Sequence, residues 1–404
     1  MYALLAWRNL WRNKRRTAIT LAAIVFAVLF ATVMRSMQLG SYDNMIDNTV
    51  RYYTGFAQIH KKGYWNEQSL ENSMVIDSAL IRQALQSSSV SDLIPRLESF
   101  ALASNGMRTM GIMVTGIEPE KERLLTHLDT KIIQGQYLDS TDRTILLTEK
   151  LAEYLQAGIG DTVILIGAGY RGANAAGKYA VKGIVSFNNP ELNKRSAFLT
   201  RKEASLLYDV GERITTLVVV TEPELLAEAI RHLKQVFPED SYELMQWQEM
   251  LPELVQAIEV DNIGGIIILF ILYTVIGFGI FGTIVMMTAE RQHEFGVLIA
   301  LGMKRRRLLA LIGLENIFLV TTGVLGGMVL SLPLVTYFHF NPIPLSDELK
   351  LVSESYGIEA IIPFALDSEI FLYQAAAVLV ISSFAMIYPL GKILTLNPGE
   401  AMRA

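Results

Sequence analysis

Four stretches of the chain are almost free of charge. Thr17 to Met34 has none in 18 residues, Asn262 to Ala289 none in 28, and Ile370 to Gly391 none in 22. Leu308 to Phe338 carries only Glu315. A helix rises about 1.5 Å per residue, so even the shortest stretch nears the thickness of a bilayer's apolar layer. A single buried helix can be this apolar in a soluble protein, but four beside a long polar segment predict four membrane spans. The expected division is an interfacial helix over 1–16, spans at 17–34, 262–289, 308–338 and 370–391, and a large polar segment over 35–261. A cytoplasmic loop at 290–307, an outer loop at 339–369 and a tail at 392–404 complete it.

Charge next to the spans sets the orientation. Arg8, Arg12, Lys14, Arg15 and Arg16 precede the first span with no acid among them. The 290–307 loop holds Arg291 and Lys304 to Arg307 against Glu290 and Glu294, whereas the 339–369 loop has one base, Lys350, and six acids. By the positive-inside rule both termini and the 290–307 loop face the cytoplasm, in the cytoplasmic (inner) membrane of the cell. The first span is an uncleaved anchor, because its apolar run continues into Met34-Arg-Ser-Met-Gln-Leu39 without a small-residue cleavage site. There is no cysteine, so disulfides and thiolate metal sites are excluded.

The outer segment reads as α+β. Strands are predicted at Phe56–His60, Ser99–Ala103, Thr109–Thr115, Thr144–Leu147, on both sides of a glycine loop near 166–178, at Ile214–Thr221 and at Tyr242–Trp247. Thr221-Glu-Pro-Glu224 has the spacing of a capping box. Leu225, Leu226, Ala229, Ile230, Leu233 and Phe237 follow at helical spacing, so strand, helix and strand suggest a small βαβ layer. Arg35–Arg51 and Met250–Asp261 are expected to extend the first two spans as stalk helices.

The glycine loop raises the question of a nucleotide. Gly167-Ala-Gly169-Tyr170-Arg-Gly172 fits GxGxxG, and Gly172-Ala173-Asn174-Ala-Ala-Gly177-Lys178 lacks only the last Ser/Thr of a P-loop. Both motifs need a helix after the loop to hold the phosphates. Here Tyr179 to Phe187 reads as a strand, and the segment is predicted to lie outside the cytoplasm. A hairpin with a flexible, exposed tip is expected, and it is a possible contact for an extracytoplasmic partner.

No catalytic constellation emerges. The histidines at 60, 127, 232, 293 and 339 are scattered, no metal-ligand spacing recurs, and no acid/base pair stands out. Nothing points to a nucleic-acid partner. Two cytoplasmic stretches are more informative. In Trp7-Arg-Asn-Leu-Trp-Arg-Asn-Lys-Arg-Arg16, Leu4, Trp7, Leu10 and Trp11 share one helical face with arginines around it. Such a helix anchors at anionic lipid headgroups, and it can also meet a cytoplasmic partner. Between Thr288 and Arg307, Phe295, Leu298, Ile299 and Leu301 form an amphipathic segment between charged ends. It either rests on the bilayer or docks into a partner's groove. Glu315 is costly inside a span unless paired or near water. It belongs either to a moving interface or to a pair with the neighbouring basic cluster. Gly323 and Gly327 form GxxxG, which suits close helix packing within the chain or between copies.

The stretch Ala289-Glu-Arg-Gln-His-Glu-Phe-Gly-Val-Leu-Ile-Ala-Leu-Gly-Met-Lys-Arg-Arg-Arg-Leu308 resembles the signature of FtsX-like/MacB-type ABC transporter permeases, with their LolC/LolE-like branch favoured. The N-terminal Trp7–Thr20 stretch, Glu315 and the Leu396–Ala404 tail are similar to those proteins as well, so the likeness spans nearly the whole chain. The resemblance implies four membrane helices with a large extracytoplasmic α+β domain between the first and second. It implies a permease that is not itself an enzyme, binds no cofactor, and relays motion from a separate ABC ATPase that binds ATP and Mg. Glu290, Arg291, His293, Glu294, Phe295, Gly296, Val297, Leu298, Ala300, Leu301 and Gly302 would form its coupling helix, with Phe295 and Leu298 as apolar contacts and Glu294 as a polar one. A second permease, identical or related, is implied, and a periplasmic carrier or adaptor could meet the hairpin. Lipoprotein release is the leading expectation for cargo. Activation of a cell-wall hydrolase and export of peptides or small hydrophobic molecules are the alternatives.

Overall fold

The apolar stretches become long helices. The computed structural model describes residues 2–12, 14–106, 108–346, 350 and 360–395, so the 396–404 tail and most of the loop around 347–359 lie outside it. Among the described residues, four helices are long and apolar enough to cross a membrane: Lys14–Val50, Pro252–Glu290, Arg305–Phe340 and Ser368–Leu394. Each contains a predicted span and extends past it. The first runs as α-helix to Ile46 and the second begins at Pro252, as expected for the extensions. The chain divides into two compact units, one of Met1–Asp43, Ala257–Pro344 and Ile361–Ala404, the other of Asn44–Gln256 and Leu345–Ala360.

In the helical unit the glycines decide who packs on whom. A Cβ on Gly323 would lie 2.6 Å from Ile24 Cγ2, and one on Gly327 would lie 2.6 Å from Val28 Cβ and 2.9 Å from the Val25 carbonyl oxygen. The GxxxG of the third long helix therefore seats the first long helix of the same chain, and Ile24 and Val28 are fully buried there. Farther along the first long helix Arg35 donates to Gln38 and to Asn262 of the second, and Gln38 and Tyr42 both donate to Asp261. These bonds clamp the first and second long helices together.

The second unit is built on one ten-stranded sheet. Its strands are β1 (Ala57–Lys61), β2 (Asp92–Ser104), β3 (Thr109–Ile117), β4 (Ile132–Gly135) and β5 (Thr144–Thr148). β6 (Thr162–Ala168), β7 (Asn174–Val185), β8 (Ser196–Thr200), β9 (Thr216–Val220) and β10 (Tyr242–Gln246) complete it. The long β2 changes neighbour along one edge. Asp92–Arg96 pairs with β9, and Leu102–Ser104 pairs with β6. β2 pairs with β3, β3 with β8, β8 with β5, β5 with β7 and β7 with β6, so six strands close into a ring, a small barrel. Leu97, Ala101, Ala103, Val114, Ile145, Leu165, Val181 and Leu199 are buried in its apolar cluster. Each fully buried large aliphatic side chain contributes roughly 1.5–3 kcal/mol.

Beyond the ring, β9 and β10 both run antiparallel to β1, which lies between them. The predicted βαβ layer thus exists, but split by an inserted strand, with the helix Leu226–Val236 burying Ala229, Ile230 and Leu233. The capping box does not form. Thr221 Oγ1 donates to the Ser89 carbonyl at 2.7 Å, and Glu222 instead precedes a short 3-10 turn at Pro223–Leu225.

Candidate functional site

The loop between the second and third long helices folds into a nine-residue helix, Gln292–Ala300. Leu301 follows as its C-cap, and Gly302 takes φ of +96°, which ends the helix without strain. One face of this short helix turns inward. Phe295 is 2 % exposed and packs in an apolar cluster with Leu10, Ile312, Leu319 and Met386. Gly296 is also buried, and Leu298 and Ile299 are partly covered by the same cluster. The other face is open: His293, Val297, Ala300 and Leu301 form a stripe at helical spacing, with Leu301 80 % exposed. Of the two apolar contacts that the resemblance implies, Phe295 is committed to the chain's own core and Leu298 is partly covered by it, while Val297 and Leu301 occupy the accessible face. Amphipathic spacing reveals that such a segment has two faces, but not which one the chain covers itself.

Charged residues at the start of this helix pair with the N-terminal helix and the third long helix. Arg12, on the N-terminal helix Tyr2–Arg12, donates to both Glu294 oxygens at 2.7 and 2.9 Å. Arg291 donates to Glu294 at 3.2 Å and to Glu315 at 2.5 Å, and its guanidinium lies 5.2 Å from the Phe295 ring centroid. Asn9 donates to the other Glu315 oxygen at 2.7 Å. Arg16 pairs with Glu290. Partial burial alone would raise the Glu294 carboxyl, but hydrogen bonds from Arg12 and Arg291 outweigh it and hold the group below the usual carboxylate range. Glu315 is buried and paired with a base of the adjacent loop. A cavity of about 20 Å³ beside Glu315 and Asn316 is water-sized, too small for an organic substrate.

The N-terminal helix presses its Leu10 into the cluster that holds Phe295. Trp7 meets Phe318 of the third long helix edge-on at 6.0 Å and Trp11 at the same distance. Thr17 Oγ1 donates to the Leu10 carbonyl, fixing the bend into the first long helix. Leu4, Arg8 and Arg15 stay exposed.

In the second unit the predicted hairpin is present as β6 and β7, joined by a 3-10 turn at Tyr170–Gly172. Gly167 pairs with Ala175 and Gly177 with Leu165 within the ladder, while Ala173 and Asn174 lead into β7. The tip is pinned. Arg171 N donates to Glu71 at 2.6 Å, and the Tyr170 ring lies between the guanidiniums of Arg171 and Arg213, at 5.1 and 5.0 Å. Gly172 has φ of +76°, and a Cβ on Gly169 would sit 2.8 Å from the Tyr208 carbonyl oxygen. Gly172 thus supplies the positive φ of a turn, and Gly169 permits a close approach of the backbone.

Beside the hairpin lies an apolar patch that the sequence reading missed. Phe100 is 59 % exposed, and Leu102 and its cross-strand partner Ile166 are 52 % exposed each. In Ser99-Phe-Ala-Leu-Ala-Ser104 the alternation announces two faces. The small Ala101 and Ala103 point inward, where Tyr179 and Tyr208 join the same buried cluster, and the bulky pair points out. Among the described residues no group of His, Asp or Glu could hold a metal ion.

Comparison with known proteins adds the family. A family model described as MacB-like periplasmic core domain matches residues 17–236, more than half of the chain, and one described as FtsX-like permease C-terminal matches 266–398. The curated lipoprotein-releasing system transmembrane protein LolC of Neisseria meningitidis serogroup B (strain ATCC BAA-335 / MC58) is 24% identical over 324 residues, 76% of this chain and 77% of that protein. Among solved structures, the periplasmic region of MacB from Actinobacillus actinomycetemcomitans matches at 15% identity and a TM-score of 0.36, covering 52% of this chain and 98% of that one. The extracellular domain of the transporter YknZ from Gram-positive bacteria matches at 14% identity and a TM-score of 0.34, covering 47% and 99%. The family-model matches, not these superpositions, carry the assignment.

Proposed function

Since the chain belongs to the FtsX-like/MacB-type family of ABC transporter permeases, we propose that it relays the motion of a separate ATPase to the Asn44–Gln256 unit and has no chemistry of its own. The observation that carries this reading is the division of the loop helix. Phe295 fastens it to the membrane unit, and the stripe of His293, Val297, Ala300 and Leu301 is left for a partner. A nine-residue helix is marginal alone, so a push on that stripe moves the helix as a body with whatever Phe295 and Glu294 hold. ATP and Mg belong to the partner. The loop and both termini face the cytoplasm, and the hairpin faces the other side of the cytoplasmic membrane. The helices Lys14–Ile46 and Pro252–Glu290 each contain residues of both units and are the route of transmission. A second permease, identical or related, completes the complex.

For cargo we favour lipoprotein release, on the LolC relative. The pinned hairpin with Phe100, Leu102 and Ile166 beside it suits a soluble carrier that must accept something apolar. Docking is tested by Val297→Asp with Leu301→Asp in the full-length chain. Co-purification of the ATPase should fall about tenfold or more, because charges replace two central apolar contacts, while membrane insertion stays normal. Wild-type recovery of the ATPase by that variant would refute the assignment of this face.

A further inference from the structure

Five side chains around the loop helix form a closed circuit. Arg12 holds Glu294, Glu294 also accepts from Arg291, Arg291 holds Glu315, and Glu315 accepts from Asn9. Asn9 and Arg12 stand three residues apart, so they share one face of the N-terminal helix and close the ring on it. The N-cap of the loop helix, Arg291, makes no side-chain capping bond, and Glu290 just before it pairs with Arg16. The N-terminal helix is in turn seated on the third long helix through Trp7 and Phe318, and Leu10 shares the cluster of Phe295.

We infer that the N-terminal helix is a working part of the force-receiving joint, with Arg12 and Asn9 as positioning residues that make it move together with the loop helix. The inference rests on the docking reading above. Sliding the loop helix alone would break the ring in two places, at Glu294 and at Glu315. Moving both helices together keeps every bond. The Arg12–Glu294 link is half-exposed, so it is weak as a static brace and is made or broken at little cost. It sets register more than stability. Neither Asn9 nor Arg12 belongs to the loop helix or its exposed stripe, so docking and transmission are separable through them.

The absence of cysteine allows a single reporter. The full-length chain carrying Ala173→Cys, labelled with a fluorophore and reconstituted in liposomes with the ATPase that co-purifies with it, gives two readouts. One is retention of the ATPase, and the other is the ATP-driven change in fluorescence. Arg12→Glu should keep retention and lose the fluorescence change about fivefold or more, and Glu294→Arg should lose that change to the same degree. The double variant, with the charges exchanged, should recover most of it. Asn9→Leu, which removes the second link without adding charge, should show the same loss and guards against misfolding of the charge variants. A wild-type fluorescence change in Arg12→Glu and Asn9→Leu, or no recovery in the exchange, would overturn the inference. Loss of ATPase retention in Arg12→Glu and Asn9→Leu would also overturn it, by making them docking residues. A wild-type chain that retains no ATPase would refute the docking reading itself.

Discussion

The two units each bury an arginine against a glutamate, and the two pairs are built differently. In the sheet unit Arg96 and Glu122 are sealed from solvent. Arg96 donates to both Glu122 oxygens at 2.6 and 3.1 Å and to the Tyr53 carbonyl at 2.7 Å, with Glu98 at 3.7 Å. Every strong donor is spent within one rigid core. In the helical unit Arg291 and Glu315 are less deeply buried, and each keeps a second partner: Glu294 on the helix that Arg291 caps, and Asn9 on the N-terminal helix. The first pair locks a shape. On the reading proposed above, the second is the joint. Depth of burial and the number of helices tied together, not the Arg–Glu chemistry, separate the two pairs.

Breaking the first pair should have the largest effect. Glu122→Ala leaves Arg96 charged and buried, which costs about 3–5 kcal/mol, whereas removing both partners with apolar residues of similar size costs far less. Urea or thermal unfolding of the full-length protein in detergent measures both. A loss under 1 kcal/mol for the single variant would mean that water reaches the site. Glu315→Gln is the matched change at the second pair. Arg291 retains Glu294, so stability should fall by only about 1–2 kcal/mol, while the ATP-driven change falls with it. An equal loss of stability at both sites would erase the distinction drawn above.

What could be read beforehand follows the range of the interactions. The four long helices were legible because an uncharged run of 18 or more residues has few other fates. The hairpin was legible because strand, turn and strand are neighbours in the chain. Ring closure was not. It depends on β8, whose residues Ser196–Thr200 are all buried between β3 and β5 and show no alternation. The loop helix itself was legible, but its inward residue was not, because Leu10 covers Phe295 from the other end of the sequence. The same holds for Glu294, whose partner Arg12 is distant in the chain and is supplied by tertiary packing alone.

The smallest predicted effect sharpens the comparison by testing how dry the sheet unit is. His60 is fully buried in β1 and stacks on Tyr64 at 4.9 Å. Its Nδ1 lies 3.0 Å from the Thr215 carbonyl, which can only accept, so Nδ1 carries a proton. Burial pushes its pKa down, although Thr215 and Glu243 pull the other way. An unfolded histidine takes a proton near pH 6.5, the folded one only at lower pH. Between these values the unfolded state binds more protons, so stability falls as the pH falls. The loss attributable to His60 is at most about 0.8 kcal/mol at pH 6. Glu98, whose carboxyl is raised by burial, has the opposite sign and gains stability as the pH falls through its folded value. The useful quantity is therefore the difference in pH slope between wild type and His60→Gln, measured by thermal unfolding from pH 7.5 to 5.5. The wild type should lose more. Identical slopes would mean that His60 is hydrated in the folded state, and the sheet unit would then be less dry than its sealed Arg96–Glu122 pair implies.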